Sequence, residues 1–364
     1  MTSSADKSVC VTGASGYIGC WLVKYLLEQG YTVHATVRDL NRKTEPLKRL
    51  AEEHASQGGQ LVLHQANLLD AESFNEPIKQ CSVVYHTASP FQISKSRESG
   101  QKRFIDPAVR GTENVLRACL RPETRRTLRR VVVTSSIAAV TGFYDQKHGN
   151  PVPTYDETDW NTTSTPQNDP YSFSKTAAER RAWELAHAPE NRDKSWDLVT
   201  ILPGFVLGPS LTTETESGSV EFMRELLGGR LALGVPAWQQ SIVDVRDVAL
   251  AHLRAGSDKK RVPSGRYIVV AGYKSILEVA SAVRAEWGQR FRLPQRELPK
   301  WLMYLAGPFI GLPWEMIRHR VGIPICFNVA KSKTLLGMEY RGVDLTIREH
   351  VQQMIADGLV PLQR

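Results

Sequence analysis

Short β-branched runs alternate along the chain with segments whose apolar residues recur at helical spacing. Residues 8–12 (SVCVT) are the first such run, glycines follow, and Tyr17 to Glu28 then carry apolar side chains every three or four positions. That order predicts strand, tight loop and helix. Further runs at Thr32–Val37, Leu61–His64, Val83–His86, Arg130–Thr134 and Leu198–Leu202 are separated by helix-length stretches of mixed polarity. The expected fold class is therefore α/β: a Rossmann-type doubly wound parallel sheet with helices on both faces. Beyond Pro203 the rhythm gives way to loops, short helices and clusters of Trp and Pro, and Tyr267–Val270 reads as a strand returning to the sheet. The expected partition is a sheet domain over residues 1–205 plus about 241–272. A smaller, mainly helical C-terminal lobe takes about 206–240 and 273–364.

Composition narrows the class. With 364 residues, 41% hydrophobic and 23% charged, the chain can bury a sizeable core, and collagen-like, disordered and coiled-coil classes are excluded. The formal charge is +8, but the densest basic run, Arg121 to Arg130, has no interleaved aromatics and reads as a solvated loop, so no nucleic-acid partner is expected. Five cysteines without a C-x-x-C pair suggest reduced thiols, and the polar start Met1–Lys7 lacks a secretory apolar core, so a cytoplasmic protein is expected. The longest apolar stretch, Trp301 to Trp314, is too short and too broken by Gly and Pro to span a bilayer. Peripheral membrane contact through the surrounding insertion, Leu298 to Gly322, flanked by Lys300, Arg318 and Arg320, stays open, with capping of a substrate cleft the favoured role. His34, His64 and His86 fall in or beside strands as isolated residues, so no metal is expected.

The loop Gly13-Ala-Ser-Gly16-Tyr-Ile-Gly19 lies between the first strand and the first helix. In that context the first glycine permits a tight turn, the second lets backbone approach a pyrophosphate, and the third lets helix and strand pack closely. The helix N-terminus then favours the anion. The sheet domain thus reads as dinucleotide-binding. The second strand ends Thr36-Val37-Arg38-Asp39. Arg38, with Arg42 and Lys43 nearby, offers cations to a 2′-phosphate, which favours NADP(H), whereas Asp39 facing the ribose would favour NAD. NADPH is the expected cofactor and NADH the less favoured one.

Asp169-Pro170-Tyr171 reads as a helix start, with Asp169 as cap and Pro170 at the first helical position. Tyr171 and Lys175, four apart, then share one helical face, where an ammonium stabilises a neighbouring phenolate and brings the phenol towards usable acidity. The strand Arg130–Thr134 delivers Ser135 and Ser136 to the carboxyl edge of the sheet, where ligand crevices lie, and Ser136 is placed to hydrogen-bond a carbonyl that Tyr171 protonates.

TGASGYIG, VVVTSS, Tyr171-x-x-x-Lys175 and LPGFVLGP, with HTASPF at His86–Phe91 and SIVDVRDVALAHL from residue 241, together resemble the extended short-chain dehydrogenase/reductases. The similar branch contains dihydroflavonol reductases, cinnamoyl-CoA reductases and aldehyde and ketone reductases. The resemblance implies catalysis by Ser136, Tyr171 and Lys175, with NADPH delivering hydride to a carbonyl. It also implies that Gly13, Ser15, Gly16, Tyr17, Ile18 and Gly19 hold the pyrophosphate, and Arg38 and Lys43 the 2′-phosphate. Asn67, in place of a usual Asp, and Leu68 would meet the adenine; Thr87 and Ala88 the ribose; Pro203, Gly204 and Val206 the nicotinamide. Thr141 replaces a residue that reads flavonoids in this branch, and Asp169-Pro-Tyr-Ser-Phe departs from the run typical of cinnamoyl-CoA reductases. Aldehydes and ketones are therefore the favoured substrates. Phe91, Ile137, Phe143, Phe205, Phe222, Met223 and Trp238 suggest a mainly apolar pocket, with Phe222 and Met223 balanced between pocket and core. The competing readings are a 3β-hydroxysteroid dehydrogenase-like enzyme, an NAD-dependent sugar-nucleotide epimerase and a non-catalytic dinucleotide sensor. A monomer or homodimer fits equally.

Overall fold

A computed structural model describes residues 7–89, 100–142, 152–191, 193, 195–213, 217–257, 261–307 and 314–360. Its centre is a seven-stranded sheet: β1 (Ser8–Thr12), β2 (Thr32–Val37), β3 (Gln60–Gln65), β4 (Val83–His86), β5 (Arg130–Thr134), β6 (Asp197–Pro203) and β7 (Gly265–Val269). The spatial order is 3-2-1-4-5-6-7, and every pairing is parallel. The order reverses beside β1, so the crevice of the doubly wound sheet opens beyond the carboxyl ends of β1 and β4.

Each expected strand forms within a residue or two of its predicted limits, because all but the half-exposed edge strand β3 are largely buried and β-branched runs suit that environment. One face carries the helices Tyr17–Glu28 and Val245–Ser257, whose Leu22, Leu26, Val248 and Ala251 pack on Val9, Val11 and Val132. The other carries Asp106–Cys119 and Pro170–Ala186, with Val115, Leu116, Ala182 and Leu185 against Val84, Val131 and Val133. The basic run does not end in solvent as expected. Arg130 is buried at the start of β5 and grips Asp197 through two hydrogen bonds of 2.8 and 2.7 Å. Its remaining donors reach the carbonyls of Ala255 and Val262, so the buried cation is satisfied.

The C-terminal lobe is helical around Val220, Met223, Val279, Val283, Ile347 and Val351, but it also holds a small sheet. There Gln239–Asp244 lies between a parallel strand, Phe205–Leu207, and an antiparallel one, Gly272–Ser275. A two-stranded parallel pair, Thr154–Tyr155 with Cys326–Phe327, flanks it. No described helix is long and apolar enough to cross a membrane.

Leu22 has no exposure and seats the glycine-loop helix on the sheet. Leu22→Ala is expected to lower the unfolding free energy by about 2–5 kcal/mol, read as an earlier midpoint in chemical denaturation.

Candidate active site

The glycine loop owes its shape to two close approaches. Gly13 has φ +67°, and a β-carbon there would lie 2.8 Å from the Ala88 Cα. A β-carbon on Gly19 would lie 2.3 Å from the Gly13 carbonyl oxygen, so this glycine lets the helix start directly above the turn. A β-carbon on Gly16, at the start of the helix, would lie 3.1 Å from the Gly13 carbonyl oxygen, with no other described atom within 4 Å. Ser15 and Ile18 are half-buried at this turn. The Tyr17 side chain turns inward and donates to the Gly208 carbonyl, tying the loop to the second lobe. Only its backbone can face a phosphate.

At the end of β2, Arg38 is exposed and Asp39 turns its carboxylate back on its own loop, accepting from the Asn41 backbone N–H at 2.8 Å. Lys43 adopts φ 60°, a left-handed conformation uncommon for a residue with a side chain. Asn67 uses its amide oxygen to accept from the Leu69 N–H at 3.0 Å, which directs its NH2 towards any neighbour. Leu68 is half-buried against Gly111.

After β4, Thr87 donates to the Thr12 carbonyl at 2.7 Å and the Ala88 N–H donates to the Thr12 hydroxyl. That hydroxyl also pairs with Nδ1 of His86, 2.8 Å away. Burial, and after it the Lys175 charge, pushes the His86 pKa down to about 3. It stays neutral at the floor of the site.

The end of β5 separates two serines by the alternation of an extended chain. Ser135 points inward and donates to the Glu179 carboxylate at 2.6 Å. Ser136 faces a cavity, accepts from the Ala138 N–H at 3.1 Å and hydrogen-bonds the Tyr171 hydroxyl. Tyr171 and Lys175 stand on the helix Pro170–Ala186, capped by Asp169, which accepts from the Ser172 N–H at 3.1 Å. Lys175 donates to the Ser89 hydroxyl at 2.9 Å, and its ammonium lies 5.9 Å from the Tyr171 ring centroid. Burial raises the Tyr171 pKa, opposed by the Ser136 hydrogen bond, and burial brings Lys175 down to about 8. Desolvation, rather than the lysine charge, thus dominates the phenol.

Ser136, Tyr171, Ile137, Gly204 and Phe205 share a cavity of about 290 Å³, a size suited to a small molecule. Trp238 and Thr141 line it too. Pro203 ends β6 just before Gly204, and Val206 lies half-buried in the second sheet. Phe222 and Met223 do not line this cavity. Met223 is fully buried in the C-terminal core, and Phe222 packs edge-on against Phe205, ring centroids 5.4 Å apart. Phe91 and Phe143 lie outside the described residues.

A family described as the NAD dependent epimerase/dehydratase family matches residues 9–271. The chain belongs to this family. Within it, a cinnamoyl-CoA reductase of Medicago truncatula is 35% identical over 361 residues, covering 97% of each chain. An anthocyanidin reductase of Vitis vinifera is 35% identical over 307 residues, covering 80% of this chain and 83% of that one. Among solved structures, the yeast methylglyoxal/isovaleraldehyde reductase complexed with NADPH aligns with a TM-score of 0.75 and 25% identity. That alignment covers 97% of this chain and 100% of the yeast one. Vestitone reductase from alfalfa aligns with a TM-score of 0.70 and 26% identity, covering 97% and 99%.

Three residues of this family member escaped the sequence reading. Glu179, 2% exposed, accepts from Ser135, from Thr200 at 2.8 Å and from the Arg266 Nε at 2.8 Å. Arg266 also stacks 3.8 Å over the Trp160 ring and donates to the backbone carbonyls of Ala139 and Glu157. The signal for Glu179 was its spacing, four beyond Lys175. Arg266 had no local signal, whereas Arg320, which also lines the cavity, lies in the insertion expected to cap the cleft but was not assigned to the site.

Breaking the buried pair by Glu179→Ala is expected to cost about 3–5 kcal/mol in denaturant unfolding. The double change Glu179→Leu with Arg266→Met should cost clearly less than the two single changes added together.

Proposed function

We propose that this enzyme reduces a ketone or aldehyde to an alcohol with NADPH, using Ser136, Tyr171 and Lys175. It is an NAD(P)H-dependent oxidoreductase, and NADPH is its cofactor, in keeping with the yeast reductase complexed with NADPH. The observation that carries the reading is the meeting of Ser136 and Tyr171 on one cavity, with Lys175 one turn along the same helix.

The residues fit the dinucleotide. The glycine turn leaves the Tyr17–Glu28 helix N-terminus open, so the backbone from Gly13 to Gly19 would hold the pyrophosphate. Arg38 and Lys43 would meet the 2′-phosphate, since Asp39 is engaged with its own loop. Leu68 and Asn67 suit the adenine side, Thr87 and Ala88 the ribose side, and Pro203, Gly204 and Val206 the nicotinamide end. NADPH, when bound, supplies the hydride for the carbonyl carbon.

Tyr171 donates the proton. Burial holds its phenol above the ordinary value, so the hydroxyl carries a proton at neutral pH and can pass it to the substrate oxygen. Ser136 hydrogen-bonds the same oxygen and fixes its place. Lys175 sets a positive charge near the phenolate left behind and stabilises it. His86, kept neutral, adds no second cation beside Lys175. The substrates named for the plant relatives belong to those proteins; aldehydes and ketones fit the departures at Thr141 and Asp169–Phe173.

Native enzyme should oxidise NADPH in the presence of a carbonyl panel, with NADH much less effective. Tyr171→Phe should retain NADPH binding and lose turnover by about 10²–10⁴-fold. Binding of NADPH without turnover of any carbonyl by the native enzyme would overturn the reading. The pH dependence has a definite sign. Lys175 is charged below about 8 and neutral above, while Tyr171 keeps its proton through that range. With NADPH as the varied substrate, kcat/KM reports the cofactor-free enzyme and should therefore fall as the pH rises past about 8. A profile still flat two units higher would remove the role given to the ammonium.

A further inference from the structure

We propose that the surface around Trp301, Leu305 and Trp314 docks the protein on an anionic phospholipid bilayer, as a peripheral contact that does not cross it. This goes beyond the reductase reading and stands apart from it. Among the described residues, the four most exposed large apolar side chains are Leu233 at 85%, Trp301 at 66%, Leu305 at 64% and Trp314 at 63%, and no other exceeds 51%. None of the four lines the cavity that holds Ser136 and Tyr171, so a substrate bound there does not account for them.

The four are neighbours, not scattered single residues. The helix Lys300–Ala306 turns Met303 inward onto Ile317 and Val321. Trp301 and Leu305, one turn apart, share the opposite face and are left to solvent. In the helix Trp314–Arg320, Ile317 is buried against Met303, while Trp314 and Arg318, again one turn apart, are exposed. The Trp314 indole N–H donates to the Tyr304 carbonyl at 2.9 Å, which holds its ring beside Leu305. Leu233 borders the same surface. Its carbonyl accepts from the Arg296 Nε at 3.4 Å and the Leu298 N–H donates to the Val235 carbonyl at 2.8 Å, so this turn runs along the chain that leads into Trp301. Exposed indoles suit the boundary between headgroups and acyl chains, where the ring meets hydrocarbon and the N–H meets oxygen.

Charge selects the occupant. From Arg290 to Arg320 the chain carries six basic residues and two acidic ones, Glu297 and Glu315. Arg320 is buried; Arg290, Arg292, Arg296 and Arg318 are exposed, and Lys300 is half-buried. Lys300 donates to the carbonyls of Arg318 and Val321 at 3.0 and 2.9 Å, which ties the two helices together. A second copy of this chain seated on the same patch about a two-fold axis would set this positive border against itself. An acidic lipid surface is its complement, and each cation brought near such a surface strengthens the contact. Apolar side chains bordered by cations are what binding at a lipid interface requires.

The test is co-sedimentation of the full chain with vesicles of phosphatidylcholine alone and of phosphatidylcholine with about a third phosphatidylserine. The native protein should partition about tenfold or more in favour of the anionic vesicles, and raising the salt from about 0.1 to about 0.5 M should weaken that binding. Trp301→Ser combined with Leu305→Ser should lower the partitioning about tenfold or more, with circular dichroism and NADPH binding unchanged. If that variant is poorly folded, Arg296→Gln combined with Arg318→Gln keeps the apolar face and should lose the preference for anionic vesicles. A native protein that stays in the supernatant, that binds both vesicles equally, or whose binding survives either pair of substitutions overturns the proposal. Concentration-dependent dimerisation in sedimentation velocity, abolished by Trp301→Ser with Leu305→Ser and unaccompanied by vesicle binding, also overturns it and assigns the face to a second copy.

Discussion

The site depends on one buried ion pair. Glu179 and Arg266 meet where β5, β6, β7 and the helix Pro170–Ala186 come together, and neither charge reaches solvent to any extent. Desolvating two such groups is repaid only when nearly every lone pair and N–H finds a partner, and here they do. The carboxylate accepts from Ser135, Thr200 and Arg266, while the guanidinium adds backbone carbonyls and the Trp160 ring. Because Ser135 is held inward, the next residue along an extended chain, Ser136, must face the cavity. Because Glu179 lies one turn beyond Lys175, the same pair fixes the rotation of the helix that presents Tyr171 and Lys175. Neither member lines the cavity that holds Ser136 and Tyr171; both are positioning residues.

A second buried carboxylate joins the lobes. Asp244, fully buried at the end of its strand, accepts from Arg246 and from Thr346 of the helix Val343–Ala356, and Arg246 reaches on to Glu349 at 2.5 Å. The Tyr17 hydroxyl, bonded to the Gly208 carbonyl, brings the glycine loop into the same region. The glycine loop and the C-terminal helices are therefore connected by hydrogen bonds to buried groups, which are costly to break singly. This accounts for the placement of Tyr17: its ring serves this junction.

The sheet was legible because a largely buried strand leaves a compositional trace, a short apolar run, which is weakest in the half-exposed edge strand β3. The glycine loop and the Tyr171–Lys175 pair were legible because their geometry is local, set by a turn and by helical spacing. The three-stranded sheet was hidden, since Phe205–Leu207 and Gly272–Ser275 are short and half-exposed and pair across a long separation in sequence. Arg266 and Arg320 were hidden for a related reason. A buried arginine looks like any other until the partners it reaches, 87 residues away for Glu179 and 178 for Gly142, are placed beside it. Phe222 and Met223 show the limit for apolar residues, where neighbours in sequence and equal in hydrophobicity belong to different surroundings, and only packing assigns them.

One physical cause sets the protonation of both Tyr171 and Lys175. Burial disfavours whichever form is charged, so it raises the pKa of the Tyr171 phenol and lowers that of the Lys175 ammonium. At neutral pH the phenol is consequently a proton donor waiting for an acceptor, and the ammonium is close enough to its own titration to respond to new charge. A bound anion or a developing phenolate would raise the lysine pKa again, so the site gains positive charge stability at the moment negative charge forms beside it. The converse arrangement, a phenolate already formed beside a permanently charged lysine, would suit abstraction of a proton from an alcohol. The desolvated pair therefore keeps the phenol protonated before any substrate enters, and Ser136 is hydrogen-bonded to the same hydroxyl.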